Sequence, residues 1–168
     1  MKTVSLILFI AIPFLFSNCN KSNSAPAPAA NISCDGLVTD TLGTNDNGKI
    51  YMPTAFTPNA DGLNDVIRPI TSNISSLAFT IYDIGNNVVF TTNSSQGWTV
   101  TTDNNVSTKY HFRIQALTSG NHHIGLCGDL YRLTCLPSSI PIASLHFEDQ
   151  LTQNGFTGTT SEFLPVCP

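Results

Sequence analysis

The sequence predicts an all-β chain folded as an antiparallel β-sandwich, and three observations predict it. Apolar runs of strand length recur about every 8 to 15 residues, turns rich in Gly and Asn separate them, and no window carries a helical period. The clearest run is Lys109–Leu117, where Tyr110, Phe112, Ile114 and Ala116 alternate with His111, Arg113 and Gln115. Alternation of this kind belongs to a strand with one buried and one wet face.

The chain opens with an address. Residues 1–18 hold a basic start, Lys2, an apolar run, Val4–Phe16, and then Ser17 and Asn18. The run falls short of the roughly 20 residues that cross a bilayer and has the length of a signal-peptide core. Cys19 stands directly behind it, as in a bacterial lipobox, where the cysteine is acylated and becomes the new N-terminus. Two or three acyl chains anchor stably, which one chain does not. Residues 19–33, with the tract NKSNSAPAPAAN at Asn20–Asn31, read as an extended tether. The sandwich is expected over 34–137, and residues 138–168 form an extension packed on or near it.

Within the domain, Leu37–Gly48 is turn-forming and ends on Asn47-Gly48, a strong turn signal. A short strand, Ile50–Met52, then breaks into a loop with two prolines, Pro53 and Pro58, and four Asx residues, Asn59, Asp61, Asn64 and Asp65. Prolines fix φ and Asx side chains bond nearby backbone, so this corner is built to hold one shape, with Phe56 plugging it onto the core. Val66–Ile70 reads as a short strand whose Pro69 marks an edge or a strand end. Leu77–Tyr82 places Leu77, Phe79 and Ile81 on one face, and Gly85–Asn87 turns it into Val88–Thr91 as a hairpin. Trp98 is read as a core or sheet-covering side chain. His122–Leu126 and Tyr131–Cys135 are expected as separate strands and Ile140–Phe147 as an edge strand, with Phe156, Phe163 and Leu164 as isolated apolar anchors.

Composition narrows the function. The mature chain from Cys19 has 150 residues, enough for one domain. It keeps six of the seven basic residues against 11 acidic ones, a net charge of about −5, which argues against nucleic acid. Four cysteines follow Cys19: Cys34, Cys127, Cys135 and Cys167. An even number in an exported chain predicts two disulfides. Three pairings are open: Cys34–Cys167 would staple the ends, while Cys127 and Cys135 could join each other or the two termini. No C-x-x-C pair supports zinc.

Two patterns touch on ligands. Thr57, Asn59 and Asp61 alternate before Gly62, with Asp65 beyond, which is the spacing of the first half of a Ca²⁺ loop. Arg68 stands where such a loop needs its bidentate Glu, so an Asx-bonded turn is the preferred reading, with Thr57, Asn59, Asp61 and Asp65 as candidate structural calcium ligands. His122 and His123 are neighbours, which point to opposite faces of a strand and rarely share a metal. G-x-S-x-G, H-E-x-x-H and the P-loop are all absent from the sequence, so no enzyme is expected.

Three segments resemble one family. Tyr51–Asp65, YMPTAFTPNADGLND, is similar to the opening N-A-F-T-P-N-G-D-G-x-N-D of the gliding-motility-associated C-terminal domain of Bacteroidetes. Phe79–Phe90, FTIYDIGNNVVF, resembles its L-x-I-Y-N-R-W-G-x-x-V-F, and Gln96-Gly97-Trp98 resembles its Q-G-W-D-G. The resemblance covers about residues 50 to 100, with a weaker match to about 136. It implies an immunoglobulin-like sandwich and a connection with type IX secretion, in which such domains act as sorting signals. The chain departs at Ala60, at Asp83-Ile84, at Thr99 and in continuing past Pro137. With a lipobox at its start, it reads as a stand-alone domain on a lipid anchor. Asp40-Thr41-Leu42 fits the O-glycosylation pattern of that phylum, which makes Thr41 a candidate sugar site.

The expected protein is therefore a non-catalytic outer-membrane lipoprotein. Its role is that of a binding or assembly subunit of an envelope complex for secretion, gliding or surface uptake. The alternative is an adhesion or glycan-binding module that uses the loop ends and Trp98.

Overall fold

A computed structural model describes residues 34–100 and 107–168. The expected signal peptide, Cys19 and the expected tether to residue 33 lie outside the described residues.

The described chain is all-β, with no α-helix among its residues. In order come β1 (Lys49–Tyr51), β2 (Ala55–Phe56), β3 (Ile70–Ser72), β4 (Ile74–Tyr82), β5 (Val88–Thr92), β6 (Thr108–Thr118), β7 (His123–Arg132), β8 (Leu151–Thr152) and β9 (Gly155–Phe156). Short 3-10 turns at Ile142–Ser144 and Glu148–Gln150 lie in the C-terminal extension.

A five-stranded sheet in the order β2-β7-β6-β4-β5 carries the molecule, and β1 pairs with β3 separately. Contacts β7–β6, β6–β4 and β4–β5 are antiparallel, as alternation and short hairpins require. The β2–β7 contact is parallel, so the sheet is mixed and not purely antiparallel. The parallel pair arises because β2 reaches the sheet from the Pro53 corner, far from β7 in sequence, and not through a hairpin.

Alternation builds the core. Leu77, Phe79 and Ile81 of β4 and Phe112, Ile114 and Ala116 of β6 are buried on one face. Register sets Phe79 opposite Ile114 and Ile81 opposite Phe112. Phe56, Ile67 and Leu130 complete the cluster, and Ile50, Met52 and Trp98 close over it. Full burial stabilises such a side chain by about 1.5–3 kcal/mol.

Several boundaries differ from the sequence reading. In place of the two strands expected at His122–Leu126 and Tyr131–Cys135 there is one, β7, which runs through the residues between them and ends at Arg132. Gly128 does not break it, because it lies opposite Phe112 and leaves room for that ring. The Val66–Ile70 strand is also displaced. Ile67 makes one antiparallel bridge to Trp98, and the ladder starts at Ile70, after Pro69, which has no N–H to donate. Ile140–Phe147 is not a strand; Pro141 starts a 3-10 turn there. Phe156 and Phe163 are 59% and 88% exposed, so of the three expected anchors only Leu164 packs on a buried cluster.

Candidate functional site

The Pro/Asx corner is tied from within. Asp65 accepts from the backbone N–H of Ala60 (2.7 Å) and Gly62 (2.8 Å). Asn59 accepts from the Asp61 N–H and Asp61 from the Leu63 N–H, each two residues on. These are Asx turns. Ala60, Gly62 and Asn64 all take positive φ. Of the four candidate calcium ligands, Asn59, Asp61 and Asp65 share this turn. Thr57 does not join them: it is 1% exposed and donates its hydroxyl to Glu162, 105 residues away. Among the described residues no group of three or more His, Cys, Asp or Glu side chains is arranged to hold a metal ion.

The extension locks this corner. Glu162 Oε2 accepts from Thr57 Oγ1 (2.7 Å) and Asn64 Nδ2 (3.1 Å). Asn64 Oδ1 in turn accepts the Asp149 N–H. Glu148 pairs with Arg68 at 2.5 Å. The His146 carbonyl accepts from the N–H groups of Thr54 and Ala55, which covers the outer edge of β2. A second buried cluster, Ala55, Leu133, Leu145 and Phe147, forms underneath, with Leu136, Ile140 and Leu164 against it. No local pattern announced Glu162; its partners lie at the other end of the chain.

The opposite face of the sheet carries the start of the described chain. Cys34 is bonded to Cys127 in the middle of β7. From there Val38 exchanges two hydrogen bonds with the Gln115 side chain, Thr39 exchanges two with the Gly125 backbone, and Asp40 bonds His123. Cys135 is bonded to Cys167. Of the three open pairings, the thiols adopt the one that joins Cys34 to Cys127 and Cys135 to Cys167, so the Cys34–Cys167 staple does not form. Thr41 is exposed just beyond this strap.

Three histidines each direct Nδ1 at an aspartate: His111 to Asp129 (2.6 Å), His122 to Asp46 (2.6 Å) and His123 to Asp40 (3.0 Å). An Asp–His pair is the first half of a general-base device. The hydroxyl beside the second pair, Thr118 Oγ1, donates to Asp46 and not to the imidazole, so it is not presented as a nucleophile. Asp46 also accepts the Gly48 N–H, and its role is to tie the 43–48 turn to the β6–β7 hairpin. Thr118 above all, and His122, hold the Asp46 carboxyl below the usual carboxylate range, and His123 does the same for Asp40. Lys109 is raised by its bond to Asp129, and burial pushes the Tyr110 phenol up. Trp98 is half-buried and covers the core: its ring stands edge-on to Tyr110 (5.0 Å) and beside Phe56 (5.7 Å).

The fold and site together define an all-β, doubly disulfide-braced chain whose C-terminal extension closes a loop corner. No family description, curated protein or solved structure matches it.

Proposed function

We propose that this chain is an outer-membrane lipoprotein, anchored through Cys19, that serves as a non-catalytic binding or assembly subunit of an envelope complex. In this reading its body is an immunoglobulin-like sandwich of the gliding-motility-associated kind. The observation that carries the proposal is the bracing. All four cysteines after Cys19 are joined in disulfides, one at the start of the domain and one at its end. Such bracing suits a rigid body in an oxidising compartment. The core between the five-stranded sheet and the residues of β1 supports the sandwich. Trp98, one of the features on which the glycan-binding alternative relies, is half-buried and packs against the core, which favours the assembly reading.

Mass spectrometry of the membrane fraction tests the anchor: an acylated Cys19 as N-terminus is expected. Co-purification in mild detergent tests the assembly role, with a stable outer-membrane partner expected. Protease shaving of intact cells reports which side of the outer membrane the domain faces. An unacylated Cys19 with no partner overturns the proposal.

A further inference from the structure

The C-terminal extension does more than close the corner; it builds a groove of its own. Leu136, Leu145, Phe147 and Leu164 line it, Ile142 stands at its rim, and Glu162 faces it from the polar side. Its enclosed space is about 140 Å³. That is close to the roughly 150 Å³ that admits one benzene-sized group. It falls below the roughly 300–1,000 Å³ taken by drug-sized ligands. The space therefore suits one large apolar side chain and not a small-molecule cofactor.

The surroundings state what else the visitor carries. Ile142 is 68% exposed, and Phe163 and Val166 of the same extension are 88% and 73% exposed. Residues 138–168 contain Glu148, Asp149 and Glu162 but no Lys or Arg. Glu148 is answered by Arg68, and Asp149 accepts from Thr160 and Ser161. Glu162 bonds only neutral donors, Thr57 and Asn64, and forms no ion pair among the described residues. An apolar slot beside a carboxylate without a cation is complementary to an apolar side chain beside a basic one. The slot is also preformed. The Cys135–Cys167 bond and the Leu136–Val166 bridge fix its wall, so a visitor does not have to order it.

We infer that this groove is the docking site for a peptide segment of a protein partner, one that inserts a single Leu, Ile, Phe or Met side chain and sets a Lys or Arg against Glu162. The inference rests on the assembly reading above and names the surface that performs it.

Panning a random ten-residue peptide library on the full chain in detergent tests it. Enrichment of peptides with a large apolar residue within two positions of Lys or Arg is expected. Ile142→Asp, at an exposed rim position, is expected to weaken the selected peptide at least about tenfold with an unchanged melting temperature. Glu162→Gln, which keeps the shape, is expected to weaken basic peptides and not versions with the base replaced by Ser. A photo-cross-linker at position 142 in cells is expected to capture an envelope protein. No enrichment, enrichment of acidic or wholly polar peptides, indifference to Ile142→Asp, or cross-links solely to residues 20–33 of the same chain would each overturn the groove. A partner that co-purifies equally with Ile142→Asp leaves the assembly reading standing and removes the groove. An unacylated Cys19 without any partner removes that reading, while the peptide selection still reports on the groove.

Discussion

Ala60 sits at φ 65, in the left-handed region that an L side chain enters at a cost of roughly 1–2 kcal/mol. Its Cβ is tolerated because Asp65 holds its N–H and Asn59 and Asp61 tie the turn on either side. Ala60→Gly removes that strain and gives back part of the gain as unfolded-chain entropy. A net stabilisation of about 0.5–1 kcal/mol is expected, read as a rise in the urea midpoint. Glu162 works the other way. Its removal in Glu162→Ala leaves Thr57 Oγ1 and Asn64 Nδ2 without their acceptor in a site where both residues are buried. A loss of about 1–3 kcal/mol is expected, and a smaller loss for Glu162→Gln. Titration supplies a third test at this scale. Asp46 is lowered first by Thr118 and then by the Gly48 N–H; Asp40 is lowered by His123; Asp83 is lowered by Asn87. A carboxyl depressed in the folded state stabilises it above the unfolded value of about 3.9, and that contribution is lost as pH falls through the folded values. The melting temperature is therefore expected to fall below about pH 4. Asp46→Asn should flatten that fall, and an acid limb identical to that of the parent chain would show that Asp46 is not its source.

Among the elements, the ones whose reasons are local were legible in the sequence and the ones whose reasons are distant were not. β4 and β6 could be read because Leu77, Phe79 and Ile81, and Phe112, Ile114 and Ala116, repeat every second residue and are buried as that period requires. The Asx corner could be read because Asp61 and Asp65 bond amides within five residues. β7 was read as two strands, one ending at Leu126 and one starting at Tyr131, whereas the residues between them stay in the ladder, with Gly128 opposite Phe112, a pairing decided from across the sheet. The parallel β2–β7 contact and the place of Glu162 in the corner follow from contacts 76 and 105 residues apart, which no window of sequence displays. The strap at 34–40 is of the same kind, and it makes a test. A Cβ on Gly125 would lie 2.7 Å from the Leu37 Cβ and 3.0 Å from the Val38 carbonyl. Gly125→Val is expected to lift the strap while β6 and β7 stay paired. Hydrogen exchange should then accelerate at Val38 and Asp40, whose N–H groups bond Gln115 and the His123 carbonyl, and not at Phe112 or Ile114. Unchanged exchange at Val38 would mean that the strap is held by Cys34 alone.

At the scale of the molecule, two covalent braces divide the work between the start of the domain and its end. Cys34–Cys127 closes a separation of 93 residues and Cys135–Cys167 one of 32. On the chain-entropy account the longer loop contributes about 4–5 kcal/mol and the shorter about 3–4. Their local effects differ more than these totals. The first brace pins the strap to the outer face of the sheet, whereas the second pins the extension that carries Glu162 onto the corner. Removing the second brace by Cys135→Ser with Cys167→Ser leaves the extension held by Glu162, the Arg68–Glu148 pair and the packing of Leu145 and Phe147. Glu162→Ala in that background should therefore cost less than in the parent chain, because an extension already loosened loses little more. Groups coupled through a shared element typically show interaction energies of about 0.5–3 kcal/mol. In the Cys34→Ser, Cys127→Ser background, with the extension still braced, the cost of Glu162→Ala should match the parent value to within about 0.5 kcal/mol. Urea unfolding of the six chains measures both cycles. Coupling to the first brace as large as to the second would mean that strap and extension open together as one unit.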